Sequence, residues 1–139
     1  MTERDVVALT LYGEARGEPL EGQLAVASVL LNRKADGRWG RTFVQVCLAK
    51  RQFSCWNESD PNAALLARIE ADIDHFAPID AALRRCLWIA DGLVAGLVPS
   101  TVKSATHYYA KTLRDTPRWA RSGTLVGRVG NHLFFEHVA

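Results

Sequence analysis

Apolar positions recur at helical spacing through the first two-thirds of the chain and give way to short β-branched and aromatic runs in the last third. Thr2-Glu3-Arg4-Asp5 has the form of a capping box, with Asp in place of the usual Glu or Gln, and predicts a helix over 3–15. Val6, Leu9 and Gly13 share one face of it, and Val7, Thr10, Leu11 and Glu14 the neighbouring one. Gly17 suits a helix stop and Pro19 the first position of the next helix, with Glu18 and Glu21 near its positive end. That second helix is predicted over 19–34, with Leu20, Leu24, Ala27 and Leu31 as its seam and Gly22, Ala25 and Ala27 small enough for close packing. Arg33-Lys34 suits its C-terminal dipole, and Ala35-Asp36-Gly37 breaks it.

A short helix follows over 42–49, then a loop over 52–62 that carries Phe53, Trp56 and Asn57. A helix is expected over 63–74. Another runs from Pro78 or Ile79 to about Gly96, with Leu83, Leu87, Ala90 and Val94 in register and Trp88 on the buried side. After Pro99 the segments 104–110, 124–129 and 132–135 read as strands, the last two joined by the turn Gly130-Asn131. The pattern predicts a single α+β domain over 1–139, a mainly helical body with a small C-terminal antiparallel sheet.

Composition narrows the class. A chain of 139 residues with 48% hydrophobic and 23% charged residues buries enough surface to fold without a metal or disulfide staple, which excludes a disordered chain. The longest apolar run, Leu87 to Val98, is interrupted by Asp91, Gly92 and Gly96, so no membrane insertion is expected. Met-Thr-Glu-Arg-Asp has acids where a secretory leader is basic, and synthesis in the cytoplasm without a signal peptide is the expectation. Charge is uneven: residues 1–99 hold 11 Lys and Arg against 13 Asp and Glu, and residues 100–139 hold 6 against 2. Lys103, Lys111, Arg114, Arg118, Arg121 and Arg128, alongside His107, His132 and His137, form either a solvated face or a surface for an anionic polymer. Cys47, Cys55 and Cys86 lack metal-ligand spacing and read as buried thiols, and no metal or other cofactor is expected.

Glu14 is the leading candidate for chemistry. It lies one turn beyond Thr10 and Leu11, at the rim of an apolar wall, where desolvation holds a carboxyl protonated. A protonated Glu suits cleavage of a glycosidic bond, because the leaving oxygen needs a proton as the bond breaks. The plainer alternative is a helix-end Glu paired with Arg16 or Arg33.

Tyr12-Gly13-Glu14-Ala15-Arg16-Gly17-Glu18-Pro19, followed by Glu21-Gly22-Gln23-Leu24-Ala25-Val26-Ala27-Ser28-Val29-Leu30-Leu31-Asn32-Arg33, resembles the opening motif of the SleB-type cell-wall hydrolases. These are the spore-cortex-lytic enzymes and their phage and bacterial relatives. Phe53-Ser54-Cys55-Trp56-Asn57, Ala105-Thr106-His107-Tyr108-Tyr109-Ala110 and Val129-Gly130-Asn131-His132-Leu133-Phe134-Phe135 follow in the family's order. The resemblance covers the chain from about Asp5 to Phe135. It implies a lysozyme-like domain acting on peptidoglycan glycan strands, with Glu14 as catalytic acid.

Spore-type members are lytic transglycosylases acting between N-acetylmuramic acid and N-acetylglucosamine, where the muramic 6-hydroxyl is the nucleophile and one carboxyl suffices. A hydrolase using water wants a second carboxylate, and Asp36, Asp60 and Asp115 are loop acids without a motif. Glu18 and Arg16 belong to the same motif as supporting residues, Glu18 capping the second helix and Arg16 pairing with either acid. On the strand around Tyr108, His107 and Tyr109 share one face and Tyr108 takes the other. All three are candidate substrate contacts, as are the aromatic side chains of Phe53, Trp56 and Trp119. Each of these has core packing as its plainer alternative. His107 and Ala110 stand where spore-type members tend to show Tyr and Asn, which bears on the substrate contacts.

The competing functions are a cysteine peptidase through Cys55, a non-catalytic wall-binding module, and a nucleic-acid binder. Cys55 sits in an aromatic loop, no thiolate-stabilising helix start is evident, and no recognition helix or zinc finger supports nucleic acid. The expected protein is a monomer that meets the bacterial wall after release from the cell, as an endolysin or a particle-delivered enzyme does.

Overall fold

The computed structural model describes residues 1–139. Helix α1 (Glu3–Ala15) runs through the centre, and every residue from Val6 to Tyr12 is buried. A helix that is apolar all round is enclosed on all sides. Here α6 (Ala81–Val94), α3 (Phe43–Leu48), α2 (Leu20–Asp36) and α4 (Pro61–Ala71) surround it, so the two predicted faces are both interior. Its start is capped as expected, with the Thr2 hydroxyl accepting from the amide of Asp5 at 3.1 Å.

The turn into α2 differs from the reading of its residues. Gly17 does not adopt a left-handed conformation, and Pro19 is the cap rather than the first helical residue. The end of α1 is satisfied instead by Gln23, which is 1% exposed on α2 and donates to the carbonyl of Ala15 at 3.2 Å. The α2 seam is also shifted. Leu20, Leu24 and Leu31 are only partly buried, and the interior face is Ala25, Val26, Ala27, Val29 and Leu30. Gly37, at φ +89°, terminates the helix with its amide on the carbonyl of Arg33.

The expected helix over 63–74 begins earlier and is split. Pro61 starts α4, and Asp72 ends it while capping the four-residue α5 (Ile73–Phe76). Asp80 caps α6 through the amide of Leu83 and also accepts from the Tyr12 hydroxyl at 2.6 Å, which fastens α6 to α1. Helix α6 therefore starts at Ala81, not Pro78 or Ile79. Leu83, Leu87 and Ala90 lie in the core, but Val94 is partly exposed and Trp88 is 67% exposed. The expectation that Trp88 is a core residue is corrected: Ile89 and Cys86 take the buried stripe beside Leu87, which turns Trp88 outward.

Strands β1 (His107–Ala110), β2 (Thr124–Val129) and β3 (His132–Glu136) form an antiparallel sheet in the order β1-β3-β2, with a register shift between Leu125 and Gly127. Gly130, at φ +56°, makes the β2–β3 turn. Tyr108 and Phe134 are register partners; Phe134 belongs to the core cluster that holds Leu9, Leu11 and Leu30, and Tyr108 packs against it. The sheet thus closes one side of the helical body and brings β1 to the end of α1. The mainly helical α+β architecture agrees with the pattern of the sequence. The three cysteines are free and buried.

Candidate active site

Glu14 occupies the last turn of α1, half-buried, and accepts a hydrogen bond from the Tyr108 hydroxyl at 3.1 Å. Burial raises its proton affinity above the ordinary carboxyl value, and the donors Tyr108 and Cys55 oppose that rise. Asp60, the cap of α4, adds a further upward push through its negative charge. Tyr108 is held neutral by burial and by the adjacent carboxyl, so it stays a donor across the physiological range.

The glycine before Glu14 explains how Cys55 comes so close. A Cβ on Gly13 would lie 2.6 Å from the Cβ of Cys55, so only glycine lets the 53–57 loop seat against α1. Burial and Glu14 push the Cys55 thiol well above its usual range, the opposite of an activated nucleophile. Trp56 is half-buried and donates from its indole to the Thr10 hydroxyl at 2.9 Å, while that hydroxyl donates to the carbonyl of Val6. Phe53 is 3% exposed and is a core residue, so the expectation of a sugar-stacking wall at Phe53 is corrected.

Arg16 pairs with neither acid. It donates to Asn62 at 2.7 Å and to the carbonyl of Tyr12 at 3.1 Å, because the end of α1 turns it toward the start of α4. Arg33 forms no ion pair with Glu14 either; it donates to the carbonyl of Thr106 at 2.7 Å and to Gln52 at 3.0 Å. Glu18 instead fastens the β2–β3 turn. Its carboxylate accepts from the amide of Asn131 at 2.8 Å and from the Asn131 side chain at 2.7 Å, and His132 Nδ1 lies 3.1 Å away. Although burial works against it, these donors and His132 hold the Glu18 carboxyl below its ordinary value. A Cβ on Gly130 would fall 2.6 Å from Glu18 Oε1, which adds a second reason for glycine there. The expectation that Glu18 caps the second helix is corrected: Pro19 is the cap of α2 and no side chain bonds its first amides, because the Glu18 carboxylate is taken by Asn131 and His132 of the β2–β3 turn.

The predicted alternation on β1 separates the tyrosines. Tyr108 faces Glu14, with its ring against His132 at 5.0 Å and Phe134 at 5.5 Å. His107 and Tyr109 face the other way, and Trp119 packs over both at 4.9 Å and 5.8 Å. Trp39 adds a contact to His107 at 5.4 Å. Of the six predicted contact aromatics and histidine, only Tyr108 forms a hydrogen bond with Glu14. Burial and the nearby Arg33 and Arg38 lower His107 to about 4, so it is uncharged at neutral pH and leaves the basic surface. The largest surface hollow, about 470 Å³ lined by Leu24, Trp88, Leu97 and Val98 among others, does not include Glu14. Carboxylates and thiols do not gather anywhere in a group able to hold a metal ion.

A half-buried proton donor with a neutral phenol beside it suits acid catalysis at a leaving oxygen. A model of the cell wall hydrolase family matches residues 17–135. The chain belongs to the cell wall hydrolase family. The match begins just after Glu14, so the role of that residue rests on its geometry. A spore cortex-lytic enzyme of Bacillus subtilis (strain 168) is 26% identical over 135 residues, covering 94% of this chain and 36% of that protein. One from Halalkalibacterium halodurans is 31% identical over 129 residues, covering 93% of this chain and 33% of that protein. This family member thus spans well under half the length of these curated relatives.

The catalytic domain of the germination-specific lytic transglycosylase SleB from Bacillus anthracis superposes with a TM-score of 0.64 at 24% identity, covering 96% of this chain and 93% of that one. The catalytic domain of the Bacillus cereus SleB protein gives 0.64 at 25% identity, covering 96% and 89%. The SleB-type resemblance and the fold expected from it are borne out.

Proposed function

We propose that this chain cleaves the glycan strands of peptidoglycan between N-acetylmuramic acid and N-acetylglucosamine, as a lytic transglycosylase with Glu14 as its one catalytic carboxyl. The observation that carries this reading is the half-buried Glu14, raised in proton affinity by burial and hydrogen-bonded by Tyr108. Family membership and the names of the SleB relatives support it. Protonated Glu14 gives its proton to the leaving glycosidic oxygen as the C1–O bond breaks. The resulting carboxylate then takes the proton of the muramic 6-hydroxyl as that oxygen bonds to C1, leaving a 1,6-anhydro end and a neutral Glu14. Tyr108 orients the carboxyl throughout and donates to it in its charged form.

One observation favours a second reading, hydrolysis by water. Asp60 lies near enough for its charge to act on Glu14, so a second carboxylate is present in the neighbourhood. Its Oδ1 already accepts from the amide of Asn62 in capping α4, which accounts for it structurally. Mass spectrometry of digested, purified peptidoglycan separates the two. Anhydro-muramic ends support transglycosylation. Reducing muramic ends that vanish in Asp60→Asn support hydrolysis, and reducing N-acetylglucosamine ends refute the assigned bond. The unit is taken to act as a monomer on the bacterial wall, reached by release from the cell or by delivery on a phage particle.

A further inference from the structure

Arg33 is 5% exposed and takes part in none of the molecule's ion pairs. Its guanidinium sits 4.4 Å from the ring of Trp39 and 5.1 Å from that of Phe53. A buried cation without a carboxylate is costly to keep, so its retention calls for a use. Two features point to one. Nε donates to the carbonyl of Thr106, two residues before Tyr108, while the neighbouring Asn32 donates to the carbonyls of Lys103 and Ala105 at 2.9 Å. The Asn32-Arg33 end of α2 thus bolts down the segment that enters β1.

The charged and titratable groups that face Arg33 are Glu14 from α1, Cys47 from α3, Tyr108 and His107 from β1, and Arg38 beyond α2. Glu14 is the carboxyl among them. Burial lowers Arg33 only to about 10, so it remains a cation at neutral pH.

Building on the glycan-cleaving reading, we infer that Arg33 is a positioning residue for Glu14. Its fork sets the place of Tyr108 through the Thr106 carbonyl, and Tyr108 in turn donates to the carboxylate that Glu14 must become once it has given up its proton. Desolvation pushes Glu14 toward the acid form needed first, and Arg33, through Tyr108, keeps the second, basic form accessible. Substitution separates fork from charge, because Lys keeps the charge without the fork and Met keeps neither.

The test measures the Glu14 carboxyl titration by 13C NMR in the unliganded protein, and the pH profile of cleavage of purified peptidoglycan. Arg33→Met raises the Glu14 midpoint and moves the alkaline limb up with it, because Tyr108 no longer donates from its place. Arg33→Lys, which keeps the charge, displaces both in the same direction and lowers kcat about tenfold through the misplaced Tyr108. An unmoved midpoint in either folded variant overturns the inference. If Arg33→Met does not fold, Arg33→Lys decides: an unaltered kcat or an unmoved limb is fatal to it. An unsubstituted protein that leaves the glycan intact refutes the glycan-cleaving reading, while the NMR titration still tests whether Arg33 acts on Glu14.

Discussion

At Glu14 burial and hydrogen bonding pull in opposite directions, and the balance lies on the side of burial. Tyr108→Phe removes a donor that favours the carboxylate. The Glu14 midpoint should therefore rise, the alkaline limb of the pH–rate profile move up, and the rate at the optimum fall about 10–100-fold. Kinetics at several pH values check this, and an unmoved limb would show that the phenol does not act on Glu14. Cys55 differs, because it is a buried neutral thiol whose serine analogue still donates. Cys55→Ser should keep lysis within about tenfold of the parent, whereas a cysteine peptidase would lose it entirely. Glu14 was legible as a partly desolvated carboxyl because it ends an apolar helix face, and as the candidate acid through the motif that resembles the SleB type. Arg33 was not, because Trp39, Phe53 and Thr106 meet it only in the folded chain.

The elements were legible where local chemistry dominates. Thr2 caps α1 through the amide of Asp5, and Gly130-Asn131 makes the β2–β3 turn between the predicted strands. They were less legible where a polar side chain serves two elements. Asp72 ends α4 and starts α5, and Asp80 delays α6 while holding Tyr12. The link from Glu18 to Asn131 is the long-range join that matters most for the site, since it holds the turn of the hairpin whose β3 strand pairs with β1. Glu18→Ala should cost about 1–2 kcal/mol, as two donors lose a charged acceptor near the surface. Because Glu18 is held below its ordinary value, its folded form binds fewer protons than the unfolded one near that value. The stabilisation is present above the ordinary carboxyl value and is lost as pH falls through the lowered one. Chemical unfolding at neutral pH and near pH 3 should show a smaller difference between parent and Glu18→Ala at the lower pH. An unchanged difference would contradict the ion-dependent latch. Gly130→Ala, which places a Cβ on Glu18 in a left-handed turn, should destabilise at least as much.

Across the whole molecule the uneven charge becomes a surface. Lys103, Lys111, Arg114, Arg118, Arg121 and Arg128 are all exposed, and none has an acidic partner. His107, expected beside them, is uncharged and packed under Trp119. Attraction of this face to anionic wall polymer predicts that lysis falls with added salt more steeply than stability does. Neutralising Lys103, Lys111 and Arg114 together should flatten that dependence, and equal salt sensitivity in the variant would refute the role. Trp88 was misplaced on this scale, since an aromatic residue within an apolar helix reads as interior until its neighbours have claimed the buried stripe. The family motif carried the function further than composition alone, which left enzyme and binding module equally open.

The central claim is that Glu14 is the proton donor of glycan cleavage. Glu14→Gln keeps the shape of the side chain and its place beside Tyr108 but holds no transferable acid proton. Incubated with purified peptidoglycan, the folded variant should release no muropeptide fragments by mass spectrometry under conditions where the parent digests the wall. Fragments released at a rate near that of the parent would contradict the account.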